Sequence, residues 1–109
     1  MTTIKIFKAN NQISGFEASG HTGYAEQGSD ILCASVSSLI GACHLGLKKV
    51  LGLNPSYEIN HETGFFKLWL SQPDAQNPSA QVLLQTLAQS LEELALNNKK
   101  FIKLQIKGE

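Results

Sequence analysis

The sequence predicts an α+β fold: a two-layer sandwich in which a mainly antiparallel sheet is covered by two helices, in the order ββαββαβ. Three observations predict it. Two pairs of extended runs each bend around a turn signal, two longer stretches carry apolar residues at spacings of three and four, and the last stretch again alternates. No repeat, low-complexity segment or linker separates these elements, so a single domain over residues 1–109 is expected.

The first pair lies in "IKIFKANNQISGFEASGH", where Asn10-Asn11 tolerates the positive backbone dihedrals of a tight turn. After a glycine-rich loop, Val36, Ile40, Cys43, Leu47 and Val50 fall on one face of a helix of about six turns, ended by Gly52 and Pro55. "SYEINHE" and "GFFKLWLS" alternate around Glu62-Thr63-Gly64, offering Tyr57, Ile59, Phe66, Leu68 and Leu70 to one buried side. Trp69 is out of phase with Leu68 and Leu70, and either faces outward to a partner or tucks against the fold's edge. "QPDAQNPS" reads as a surface loop, and Leu84, Leu87, Leu91 and Leu94 trace the second helix, ending near Asn97-Asn98. "KKFIKLQIKGE" closes the chain as a strand with Ile102, Leu104 and Ile106 facing inward.

Composition narrows the function classes. An apolar fraction of 42% and a charged fraction of 17% describe a folded chain. Nine basic residues balance nine acidic ones, so no general attraction to nucleic acid or anionic lipid is expected. Lys99, Lys100, Lys103 and Lys107 read as the wet side of the last strand rather than a binding strip. No apolar run is expected to reach the ~20 residues that span a bilayer, and "MTTIKIFKANN" lacks a signal-peptide layout. A cytoplasmic protein is expected, with no membrane partner and no direct nucleic-acid binding. Cys33 and Cys43, on one helix, would be separated by about 15 Å of rise, too far for a disulfide.

The chemistry concentrates in "GHTGYAEQGSDILCASVSSLIGACHLGL". Ser29 or Asp30 is a good N-cap, which puts Cys33 in the first helical turn, where unpaired N–H groups lower a thiol's pKa and can hold an oxyanion. His21 is the nearest base, and Gly20, Gly23 and Gly28 let the intervening loop fold back over the helix start. A small buried cysteine with an unrelated loop histidine is the plain alternative. Asp30 either caps the helix or orients His21. Ser37, one turn after Cys33, either bonds the thiolate or reaches back to the Cys33 carbonyl. Cys43 reads as core, His44 as helix surface and His61 as a hairpin-turn residue. No CxxC or HxxxH spacing occurs, so no metal and no cofactor is expected.

"SGHTGYAEQGSDILCASVSSL" resembles the hallmark segment of the ribosomal-processing cysteine protease (Prp) family, in which a "GHAGYA"-like stretch leads through "G-x-D-I-V-C-A-A-V-S" into a catalytic helix. The resemblance implies Cys33 as nucleophile and His21 as its base, with Gly20, Asp30 and Ser37 near the site and Thr22, Gly23, Tyr24 and Gly28 in a loop that orders over bound peptide. It further implies removal of the N-terminal extension of large-subunit ribosomal protein twenty-seven by a homodimer packed through helices. Thr22 and Ser35 stand where the family commonly has alanine. The competing classes are a non-catalytic ribosome-assembly or peptide-binding module, and a redox sensor using Cys33.

Overall fold

Strand β1 (Thr2–Ala9) turns at Asn10 and Asn11, with φ of 55° and 62°, into β2 (Gln12–Ser19), the tight turn expected of that pair. A computed structural model describes residues 1–20 and 31–108 of the chain. Helix α1 (Ile31–Leu45) runs into a π-helical turn, Gly46–Val50. Strands β3 (Ser56–Asn60) and β4 (Phe65–Trp69) form the second hairpin. A single turn of helix, α2 (Gln72–Ala75), precedes the long α3 (Pro78–Leu96), and β5 (Ile102–Gly108) closes the chain.

The sheet has the order β3-β4-β2-β1-β5. All pairings are antiparallel except β1 with β5, which run parallel across the α3 crossover. One face is apolar: Ile4, Ile6, Phe16, Ala18, Leu68 and Ile102 are buried against Val36, Ile40 and Leu47 of the first helical segment and Leu84, Leu87 and Leu91 of α3. The opposite face carries Lys5 paired with Glu17 at 3.7 Å, and Lys67 poised 5.1 Å over the Trp69 ring. Trp69 therefore belongs to this uncovered face and is 38% exposed.

A β-bulge sustains the one-sided burial. The β1–β2 register shifts between Phe7 and Lys8, leaving Ser14 as the extra residue, and the Ser14 hydroxyl donates to the Phe7 carbonyl at 3.3 Å. One inserted residue reverses side-chain phase, so Ile13 and Phe16 both reach the core despite their odd spacing. Gly15 beside it is a requirement of packing, since a Cβ there would sit 2.6 Å from the Leu68 carbonyl oxygen.

Several expectations are corrected. Val50 is 80% exposed rather than on the buried stripe. The π turn, closed by Leu51 N–H to Gly46 carbonyl at 3.0 Å, spaces residues differently from an α-helix and rotates Val50 off the face that buries Leu47. "QPDAQNPS" is not wholly loop: the Ser71 hydroxyl accepts from Asp74 N–H and caps α2, and Asn77 caps α3 through Ser79 and Ala80 N–H. Ile106 and Ile59 are 49% and 37% exposed because β5 and β3 are the sheet edges. The helical stretch Ile31–Val50 is also long and apolar enough to span a bilayer, contrary to the reading that no run approaches that length. Here one stripe of it, Leu32, Val36, Ile40, Cys43 and Leu47, is packed into the core.

Gln81 fastens α3 to the sheet. Its amide nitrogen donates to the carbonyls of Ile13 (2.8 Å) and Ala75 (2.7 Å), and its oxygen accepts from Ile13 N–H (3.1 Å). Replacing it by leucine strands three backbone groups, so Gln81→Leu is expected to destabilise the fold by about 2 kcal/mol, read as a lower midpoint in urea at unchanged m-value.

Candidate active site

One end of the sheet gathers the start of β1, the end of β2, the β3–β4 turn and the start of β4, and the first turns of α1 lie beside it. These segments enclose a cavity of about 100 Å³. Ala18, Val36 and Phe66 supply its apolar lining, Thr2, Ser37 and His61 its hydroxyl and imidazole groups, and Gly20 and Gly64 backbone; Cys33 opens onto it from α1.

Cys33 is the third described residue of α1 and is half-buried. Ser37, one turn on, donates its hydroxyl proton to the Cys33 carbonyl at 2.9 Å, which decides between its two expected roles in favour of the backbone. Gly20 follows β2 with a φ of 83°, and a Cβ there would lie 2.7 Å from the Met1 carbonyl oxygen, so only glycine fits. Thr2, 3% exposed, donates its hydroxyl to the Gly20 carbonyl at 3.2 Å and ties the start of β1 to the residue that follows β2. His21, Thr22, Gly23, Tyr24, Gly28 and Asp30 lie outside the described residues, as does the expected cap at Ser29 or Asp30.

The cavity wall is braced from behind. His44, expected merely on the helix surface, stacks on Tyr57 with ring centroids 4.1 Å apart, and Tyr57 meets the Phe66 ring edge-on at 6.1 Å. Burial, and secondarily the charge of Lys48, hold the His44 pKa below the ordinary histidine value, which favours the neutral ring in the stack. His61, expected in the hairpin turn, is there, but the fold also makes it part of the cavity lining. Sequence gave no signal for this, because strand pairing alone brings that turn beside α1.

Cys43 is core, as expected. Its thiol is buried, lies 3.9 Å from the Leu83 carbonyl, and is pushed by burial up to about 11. Among the described residues no three His, Cys, Asp or Glu side chains converge as a metal site would require.

The family model described as cysteine protease Prp matches residues 1–103. The chain belongs to that family. A relative, the ribosomal processing cysteine protease Prp of Bacillus subtilis (strain 168), is 29% identical over 86 residues, 75% of each chain. Two crystal structures share the fold. The ribosomal processing protease Prp from S. aureus, in complex with a covalently linked product peptide, has a TM-score of 0.89 at 24% identity, over 98% of this chain and 100% of that one. SMU.848 from Streptococcus mutans also has a TM-score of 0.89 at 24% identity, over 100% and 96%.

Within this Prp-family chain the two thiols are chemically distinct. At pH 7 a thiol titrating near 11 is ionised in about one molecule in ten thousand. Iodoacetamide at neutral pH is therefore expected to modify Cys33 and leave Cys43 untouched until the chain unfolds, with peptide mass mapping as the readout. Equal labelling of both in the folded protein would contradict this assignment.

Proposed function

We propose that the chain is a cysteine endopeptidase of one domain, acting in the cytoplasm, that removes the N-terminal extension of large-subunit ribosomal protein twenty-seven. The observation that carries this reading is the shared cavity. Cys33 enters it from α1 and Gly20 from the chain just after β2; Gly20 immediately precedes His21 in the sequence, which supports His21 as the base that serves Cys33. Membership of the cysteine protease family supports the reaction class, and the name of the Bacillus subtilis relative supports a role in ribosomal processing. That the S. aureus structures contain a substrate peptide and a covalently linked product peptide supports a peptide bound at the cysteine.

The mechanism follows from these roles. His21 takes the Cys33 proton, and the sulfur attacks the carbonyl carbon at the boundary of the extension. Backbone N–H groups at the start of α1 receive the developing oxyanion. The C–N bond breaks as His21 returns the proton to the departing amine, leaving a thioester on Cys33. Water, deprotonated by His21, then attacks the thioester; the C–S bond breaks, the extension leaves as a carboxylate and the thiol is restored. Asp30 orients the protonated His21 or caps the helix. Ser37 holds the backbone of the nucleophile through its 2.9 Å bond to the Cys33 carbonyl, and Thr22, Gly23, Tyr24 and Gly28 contact the peptide.

The chain acts as a homodimer built on the outer face of the α1 segment. Ile31, Leu45 and Val50 are 61%, 50% and 80% exposed, and Ala34, Ser38 and Leu39 form a shallow apolar depression between turns of the same helix. A helix apolar on both sides usually has a second partner. Light scattering is expected to give about twice the 11.8 kDa chain mass for the native chain and a monomer for Leu45→Glu; a monomeric native chain would rule the dimer out.

The decisive experiment incubates the native chain, Cys33→Ala and His21→Ala with a peptide spanning the extension boundary, followed by mass spectrometry. Cleavage at one bond by the native chain is expected, with each variant slowed by about a thousandfold or more. Intact peptide with the native chain at high concentration would sink the peptidase reading and leave a peptide-binding module.

A further inference from the structure

Of the three polar side chains that line the cavity beside the Cys33 thiol, two have already committed their donors. A hydroxyl carries one proton. That of Thr2 goes to the Gly20 carbonyl and that of Ser37 to the Cys33 carbonyl. The third, His61, is exposed, and among the described residues its ring hydrogen-bonds to nothing. The two hydroxyls keep only acceptor capacity, whereas an imidazole both donates and accepts, so among these three side chains the uncommitted donor is that of His61.

His61 is also held in place. The Asn60 side-chain oxygen accepts from the N–H groups of Glu62 (3.0 Å) and Thr63 (3.3 Å), an Asx turn, and Gly64 turns the chain into β4 with a φ of 69°. The β3–β4 ladder continues right up to the turn, with Asn60 paired to Phe65. The imidazole thus projects from a short, hydrogen-bonded turn on the hairpin wall of the cavity, while Cys33 projects from the helix wall.

We propose that His61 is a substrate-binding residue: its imidazole hydrogen-bonds the main chain of the peptide bound at Cys33. A main chain offers carbonyl acceptors and N–H donors at every residue, so the contact serves any peptide that reaches the cavity and helps fix its register against the nucleophile. Such a contact is made alike in ground and transition states, and its loss is felt in KM rather than kcat. The inference rests on the peptidase reading for its substrate, and the test separates the two.

Steady-state cleavage of the boundary peptide would be measured for the native chain and for His61→Ala, His61→Phe and His61→Gln. Alanine and phenylalanine are expected to lower kcat/KM about fivefold through KM, with kcat within about twofold, the size of effect one hydrogen bond supports. Glutamine, which donates and accepts at similar reach, should retain most of the native value. Iodoacetamide labelling of Cys33 should be unchanged throughout, which controls for damage to the nucleophile. No effect of alanine, a loss confined to kcat, or rescue by phenylalanine and not glutamine would each overturn the proposal. In parallel, binding of a fluorescent form of the same peptide to Cys33→Ala with and without His61→Ala would be followed by anisotropy, where about a fivefold weakening is expected. That readout needs no cleavage, so it judges His61 even if the native chain proves inactive, and an unchanged Kd overturns the proposal there too.

Discussion

Ile4, Phe16 and Leu68 on the sheet, Ile40 and Leu47 on the first helical segment and Leu84 and Leu91 on α3 are each no more than 1% exposed, and they meet in one layer. At about 1.5–3 kcal/mol for each large side chain removed from water, this layer dominates the favourable side of folding. It tolerates only one registry of helices on sheet. The bulge at Ser14 lets β2 contribute both Ile13 and Phe16 to that layer, Gly46 lets the end of the first segment approach Leu83 closely, and Gln81 stitches α3 to Ile13 where the ladder with β4 has ended. The cavity is a by-product of the same registry, because the covering helices do not close over the corner where Thr2, Gly20 and Phe66 meet.

At that corner the polar groups are sorted by use. Thr2 and Ser37 spend their hydroxyl protons on the backbone carbonyls of Gly20 and Cys33, so they tie down two of the segments that line the cavity. The aromatic line His44, Tyr57, Phe66 passes from α1 through β3 to β4 and fixes the opposite wall. Cys33 and Cys43 share a helix yet differ in kind: one opens onto the cavity, the other is kept a thiol by burial.

Much of this was legible in advance. The asparagine pair announced its turn, and the leucines of α3 announced their face because an isolated amphipathic helix keeps strict 3.6-residue phase. The expectations that failed did so where tertiary context changes phase or coverage. Val50 left its stripe at a π turn, Ile59 and Ile106 landed on edge strands, and the odd spacing of Ile13 and Phe16 made sense only with a bulge. The cavity was half legible: Cys33, Ser37 and Gly20 line it together, whereas His61, forty-one residues after Gly20 and in an ordinary turn motif, reads as surface.

By itself, the sequence determined the fold class, the order of the strands and the two long helices, the core faces of those helices up to the π turn, and the family, since each of these is written in local periodicity or in one contiguous segment. Only the tertiary structure decided that β5 lies parallel to β1, that the β3–β4 turn faces the cysteine, that Ser37 serves a carbonyl and that Trp69 stands on the open face. Those facts depend on which strands pair and where helices stop covering them, and pairing is settled by burial summed over the whole chain rather than by any stretch of it.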